Sequence, residues 1–243
     1  MSLLAAVQSH LAWVYAIMSR LCLRSSEAIE VLAEAARRAT QLTMPDDGRE
    51  RALWFLRLAV EVRLEREPSS TPVDFELLDE ILRSEVTKTG GVSVRPIEER
   101  EYFLWDLKQT CLTATVGCLP PAERVAFVLA SVGGLVDEEA AAVLGLTTSA
   151  LKVRLSRART KLGGYLAPRC QHLDPLNPCH CSARLGVAIG GRFITPPAPG
   201  KKLPQYPPFA EEPRAVDVDR LIGDLPEPGL PQELREKLDK ILG

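Results

Sequence analysis

Five cations fall within ten residues, Lys152, Arg154, Arg157, Arg159 and Lys161, and short side chains stand between and before them. Laid on a helix, Ser149, Val153, Ser156 and Thr160 share one face at i, i+4, i+7 and i+11. Lys152 and Arg159 run along one edge of that strip, and Arg154, Arg157 and Lys161 along the other. Small groups let a helix approach base edges while flanking cations reach phosphate oxygens, so the chemistry is non-covalent reading of a duplex groove. Lys152 and Arg157 are the expected base-edge readers. Ser149, Val153 and Ser156 set the shape and meet thymine methyl groups, and Arg154, Arg159 and Lys161 meet phosphates. Thr148 opens the segment. No acidic residue occurs from 140 to 173, so the positive field is local in a chain whose formal net charge is -2.

A second group of reactive residues lies just beyond. The run RCQHLDPLNPCHC, 169 to 181, gathers Cys170, Cys179 and Cys181 with His172 and His180. Thiolate and imidazole are the ligands of a tetrahedral zinc site, and Cys170, His172, Cys179 and Cys181 are the candidate set. The C-x8-C-x-C spacing is not that of a zinc knuckle. The same residues read equally as a reduced, packed cluster or as a thiol pair that responds to oxidation. Apart from zinc here, no cofactor is expected. Enzymatic chemistry has no candidate, because His10 is the one histidine in the helical blocks and stands near no nucleophile.

The elements that must hold the basic strip follow from periodicity. Leu151, Leu155, Ala158 and Leu162 form the opposite, core-facing stripe of the same helix. Before it, Asp137, Glu138 and Glu139 suit the first turn of a helix, where carboxylates meet the positive end of the dipole. Ala140, Val143 and Leu144 give that helix its buried side. Gly145 then supplies the left-handed residue of a sharp turn, and Thr147 or Thr148 caps the basic helix. Two short helices about a tight turn, the second basic, make a helix-turn-helix.

Composition extends this to the whole chain. Hydrophobic content of 46% supports real cores, and 5% aromatics with abundant Ala, Leu, Glu and Arg favours helices, so the expected fold is all-α, with two small helical domains. Residues 1–67 form the first, its central helix carrying Leu53, Phe55, Leu56, Leu58, Ala59, Val62 and Leu64. Residues 68–96 read as a linker with a short helix around Phe75 to Leu82. Residues 97–168 form the second domain, 169–195 the Cys/His segment, and 196–243 a proline-rich tail. The tail ends in a helix whose Leu234, Leu238, Ile241 and Leu242 need a partner. The apolar opening is broken by Gln8, Ser9 and His10 and lacks a positive leader, so a soluble cytoplasmic chain with no membrane contact is expected. The six cysteines do not suggest a disulfide framework.

The stretch Leu119 to Leu162 resembles region 4 of the extracytoplasmic-function branch of the bacterial sigma-70 family. The marks are the "LPPAER" opening, the "EEAAAVLG" helix and the string Lys152, Arg154, Arg157, Ala158, Arg159. Residues 28–34 are similar to the family's "A-E-D-x-x-Q-E" helix and Trp54 to Glu65 to its "W-L-x-x-I-A-x-N-x-x-x-D" helix in region 2. Ala33 stands where the family has Gln, Glu61 where it has Asn, and Glu65 where it has Asp. The resemblance implies an alternative sigma factor with core RNA polymerase and promoter DNA as partners, and an anti-sigma factor as a third. Region 2 would grip polymerase through Glu30 and Glu34 and capture the −10 element, and region 4 would read the −35 groove. Glu61 and Glu65 repel a phosphate backbone, with Arg57, Arg63 and Arg66 as compensating cations, which implies weakened −10 melting. The competing reading is a helix-turn-helix regulator that no longer joins polymerase, controlled by the cysteine segment through metal or redox state.

Overall fold

The computed structural model describes residues 2–22, 24–66, 74–84, 97–190, 192–194, 203, 206–209 and 217–243. Among the described residues the chain is all-α. The helices are α1 (Leu3–Leu21), α2 (Ser25–Ala39), α3 (Gly48–Glu65), α4 (Phe75–Ser84), α5 (Ile97–Gly117), α6 (Pro121–Ser131), α7 (Asp137–Leu144), α8 (Thr148–Leu166), α9 (Cys181–Gly190), α10 (Val218–Gly223) and α11 (Gln232–Leu242). The one extended feature is an isolated bridge between Cys170 and Cys179. Most of the expected linker and of the proline-rich arm lies outside the described residues. No described helix is long and apolar enough to cross a membrane.

Two compact units form, and neither is continuous in sequence: 1–71 with 120–158 and 227–243, and 72–119 with 159–226. In the first, α3 is the central element, packing on α1, α2 and α7. Its Phe55, Leu56, Leu58, Ala59, Val60 and Val62 are buried, more than one stripe, as a helix with neighbours on several sides requires. Asp47 caps it, accepting from Arg49 N at 2.8 Å and Glu50 N at 3.0 Å. Ser25 and Ser26, by contrast, do not cap α2. The helix takes in Ser25, whose hydroxyl instead bonds the Tyr15 hydroxyl at 2.8 Å.

One junction ties α6 and α7 to this bundle. The Trp13 indole of α1 donates to the carbonyl of Gly133 at 3.0 Å. Arg49 of α3 sits over the Trp13 ring, 5.3 Å from its centroid, and makes a bidentate pair with Glu139 of α7 at 2.7 and 2.6 Å. A Cβ added at Gly133 would lie 2.6 Å from the Leu129 carbonyl oxygen of α6, 2.7 Å from Leu135 Cδ1 and 3.0 Å from Ile17 Cδ1 of α1.

In the second unit α5 packs on α9 over a core of Phe103, Leu104, Leu107, Leu185, Ala188 and Ile194. The chain at 206–209 lies against it, with the Trp105 indole donating to the Pro207 carbonyl at 2.8 Å. Helix α8 continues past Leu162, the last residue of its apolar stripe, through Gly163 and Gly164. Two glycines cost a helix about 1 kcal/mol each. Burial of Tyr165 and Leu166 beyond them offsets that cost at about 1.5–3 kcal/mol per large apolar side chain. Tyr165 stacks obliquely on Phe75 of α4 at 4.9 Å, and Arg169 binds Asp79 of α4 at 3.1 Å.

Gly133→Ala is expected to destabilise by about 1–3 kcal/mol through overpacking, first against the Leu129 carbonyl and Leu135 and then against Ile17 of α1. Gly145→Ala, at φ 63° with open space around it, is expected to lose about 1–2 kcal/mol for backbone reasons alone, and Gly145→Asn less. Denaturant melts of the three variants check this, and equal stability of Gly133→Ala and the parent would refute the close approach.

Candidate nucleic-acid interface

The helix-turn-helix forms as its local chemistry dictates. Asp137, Glu138 and Glu139 occupy the first turn of α7, and Ala140, Ala141 and Val143 are buried. Gly145 ends the helix in the left-handed region at φ 63°, ψ 35°. Thr147, rather than Thr148, caps α8, its Oγ1 accepting from Ala150 N at 3.2 Å. Along α8 the apolar stripe is complete: Leu151, Leu155, Ala158 and Leu162 are 0%, 2%, 0% and 0% exposed.

The opposite face is the one that sequence assigned to DNA. Ser149, Lys152, Val153, Ser156, Arg157, Thr160 and Lys161 are exposed, and Thr148 and Arg154 are half-buried at its margins. Val153 is an apolar side chain, 50% exposed, in the middle of the strip. Lys152 and Arg159 have internal partners. Lys152 Nζ lies 3.4 Å from Asp137 Oδ2, an exposed pair that a phosphate can outcompete. Arg159 is held more firmly, in a forked contact with Asp219 of α10 at 2.9–3.1 Å. A carboxylate thus stands where the sequence reading puts a phosphate.

Comparison with known proteins bears on this segment directly. Residues 109–162 match the family of sigma-70, region 4. Over this segment the chain is similar to that family. It is 42% identical over 77 residues to the RNA polymerase sigma factor CnrH of Cupriavidus metallidurans, a stretch covering 32% of this chain. The chain spans 40% of the length of that curated relative. A solved structure of the sigma factor RpoE in complex with the anti-sigma factor NepR from Bartonella quintana is 18% identical, with a TM-score of 0.41 over 65% of this chain and 94% of that one.

Helices α2 and α3 carry the remaining expected sites. Glu30 and Glu34 both lie on the outer side of α2 and both are paired. Glu34 binds Arg37 at 2.6 Å and lies 3.5 Å from Arg38, while Glu30 binds Lys237 of α11. These cations hold both carboxyls below the usual range. On α3 the charge pattern differs from the expected one. Glu65 is forked by Arg38 at 2.8 and 2.5 Å, and Glu61 accepts from Arg57 at 2.8 Å, so neither acid is a bare repulsive charge. Arg63 is not a compensating surface cation at all. It is 4% exposed, 3.3 Å from Glu27, and donates to the Leu21 carbonyl at 3.3 Å. Its position in the helix turns it inward, a fact that the charge count along α3 conceals.

The cysteine segment folds around a residue that the metal reading passed over. Buried Asn177 donates from Nδ2 to the carbonyls of Ala167 at 2.6 Å and Cys170 at 3.0 Å, closing the loop between Cys170 and Cys179. The two strands it closes exchange backbone bonds, Cys179 N to Arg169 O at 3.0 Å and Gln171 N to Cys179 O at 3.2 Å. His172 Nε2 lies 3.5 Å from Cys181 Sγ. Cys170 and Cys179, together with Cys111 of α5, line a cavity of about 420 Å³. Among the described residues no group of three or more His, Cys, Asp or Glu is arranged to hold a metal ion. Burial pushes the thiols of Cys111, Cys170 and Cys179 above their ordinary range and lowers His172 to about 3. Protonated thiols are poor nucleophiles and poor redox sensors.

Arg157→Ala or Lys152→Ala is expected to cost about 1–3 kcal/mol on a selected duplex and to relax sequence preference, whereas Arg154→Ala weakens all duplexes and flattens the salt slope by about one. Fluorescence titrations at several salt concentrations distinguish the two. For the thiols, native protein at pH 7 should alkylate slowly at Cys111, Cys170 and Cys179. Because their pKa values are raised, the rate should climb only above the pH at which an ordinary thiol ionises. Rapid stoichiometric labelling at pH 7 would show the burial argument to be wrong.

Proposed function

We propose that the protein is an alternative sigma factor of the extracytoplasmic-function type, which binds core RNA polymerase in the cytoplasm and directs promoter-specific initiation by reading the −35 element with α8. The observation that carries this reading is the division of α8 into a closed apolar stripe and an exposed strip of small and basic side chains, within a segment of region 4 sequence. No covalent step is involved. The protein adds the energy of duplex recognition to an enzyme that has its own catalytic machinery.

The helices 1–67 supply the second half of the function. In this reading α2 meets polymerase and α3 faces the opened strand. The exposed charges of α3 are largely self-paired, Arg57 with Glu61 and Glu65 with Arg38. A surface of paired charges attracts a single strand weakly. Recognition at −35 is therefore strong relative to melting at −10. A partner that blocks either surface, of the anti-sigma class, fits the same scheme.

Mixing purified full-length protein with core polymerase should give a complex that protects a −35 element. Run-off transcription should be weak from a linear promoter with an ordinary −10 element and rise on a template whose −10 region is already unpaired. Equal output from both templates removes the weak-melting part. Specific duplex binding without any complex with polymerase replaces the sigma reading by that of a separate DNA-binding regulator.

A further inference from the structure

Glu30, one of the two α2 acids that the proposed function gives to polymerase, is engaged by another helix of the same chain. Helix α11 packs against α2 and α1. Leu234 and Leu238, one turn apart, are both fully buried, and between them Lys237 bonds Glu30 of α2. From α1, Gln8 Nε2 donates to Asp239 Oδ1 at 2.9 Å. The terminal apolar face expected to need a partner therefore finds one within the chain.

The burial of α2 is an independent mark of the same cover. Its buried residues are Ala28, Ile29, Val31, Leu32, Ala33, Ala35, Ala36 and Ala39. At 100° per residue they sweep roughly 200° of the helix, well beyond the stripe that packing on one layer hides. One side rests on α1 and α3; the other is closed by α11. Yet α11 is lightly held. Leu234 and Leu238 are its only fully enclosed residues, Ile241 and Leu242 are half-buried, it starts at Pro231 with no side-chain cap, and the rest of its surface is charged or polar.

We propose that α11 is an internal occupant of the polymerase-docking face of α2, which polymerase must displace. This rests on the sigma-factor reading above and deepens it by naming how that site is regulated. A site held closed by its own chain has its apparent affinity reduced by the fraction that is open, so about nine-tenths occupancy weakens binding about tenfold. Lys237 makes part of the cover electrostatic: its partner raises its pKa and it lowers that of Glu30. The closed state is thus favoured at low salt.

The test uses the full chain and measures affinity for core RNA polymerase alongside hydrogen exchange. Leu234→Asp with Leu238→Asp should bind polymerase at least about tenfold more tightly than the parent, with faster exchange in α2 and unchanged protection in α3 and α7. Lys237→Ala should give a smaller gain, about two- to fivefold, that disappears at high salt. A peptide of residues 232–243, added to the double variant, should bring affinity back down. The inference is overturned if the double variant, released at α11 and otherwise folded, binds polymerase no more tightly. It is overturned as well if α1 to α3 lose protection together, since α11 is then part of the fold rather than a cover. If neither the parent nor the variant binds polymerase at any concentration, the sigma-factor reading fails and this inference with it; binding by the parent separates that case from the other two.

Discussion

The helix-turn-helix in this protein depends on a small polar junction rather than on its own core. A helix of eight residues such as α7 cannot hold itself in water. It is placed by Glu139 on Arg49, by Arg49 on Trp13, and by Trp13 on the Gly133 carbonyl. Three elements far apart in sequence thereby fix the entry of α6 into α7. The close approach at Gly133 is what allows the indole to reach the carbonyl, so shape and hydrogen bonding at this point are a single constraint.

Charge is handled by the same economy throughout. The acids of the first 67 residues and the cations of α8 rarely stand alone: Glu34, Glu61 and Glu65 meet arginines, Lys152 meets Asp137, and Arg159 meets Asp219. Most of these pairs are exposed and weakly stabilising. Their effect is on recognition instead. An exposed pair presents a nearly neutral surface to a distant polyanion and becomes a charged one when a stronger partner separates it.

What the sequence made legible was whatever is encoded by neighbours in the chain. The stripe Leu151, Leu155, Ala158 and Leu162, the acidic first turn of α7 and the left-handed Gly145 follow from periodicity and cap chemistry within a few residues. The all-α class, the exposure of Lys152 and Arg157, and the central burial of α3 followed from the same signals. Long-range pairing was not legible. Nothing in the spacing joins Arg49 to Glu139, Lys237 to Glu30 or Arg159 to Asp219, since each surface acid has many cations to choose from. Arg63 was misread because a long side chain on a mixed helix face can turn either way. The continuation of α8 through Gly163 and Gly164 was not legible either, because it rests on tertiary burial of Tyr165 and Leu166 that outweighs glycine's helix penalty. Asn177 carries no motif, although an Asn before proline in a cysteine loop is a turn signal that reasoning about ligands overlooked.

The inward arginine of α3 has a consequence for stability. With Arg63 enclosed beside Glu27 and the Leu21 carbonyl, a change at position 27 that removes the carboxylate takes a charged partner from a desolvated cation, and an apolar residue at 63 takes a donor from a carbonyl at the end of α1. Neither step is neutral by itself. Positions 27 and 63 are therefore coupled in stability although they belong to different helices.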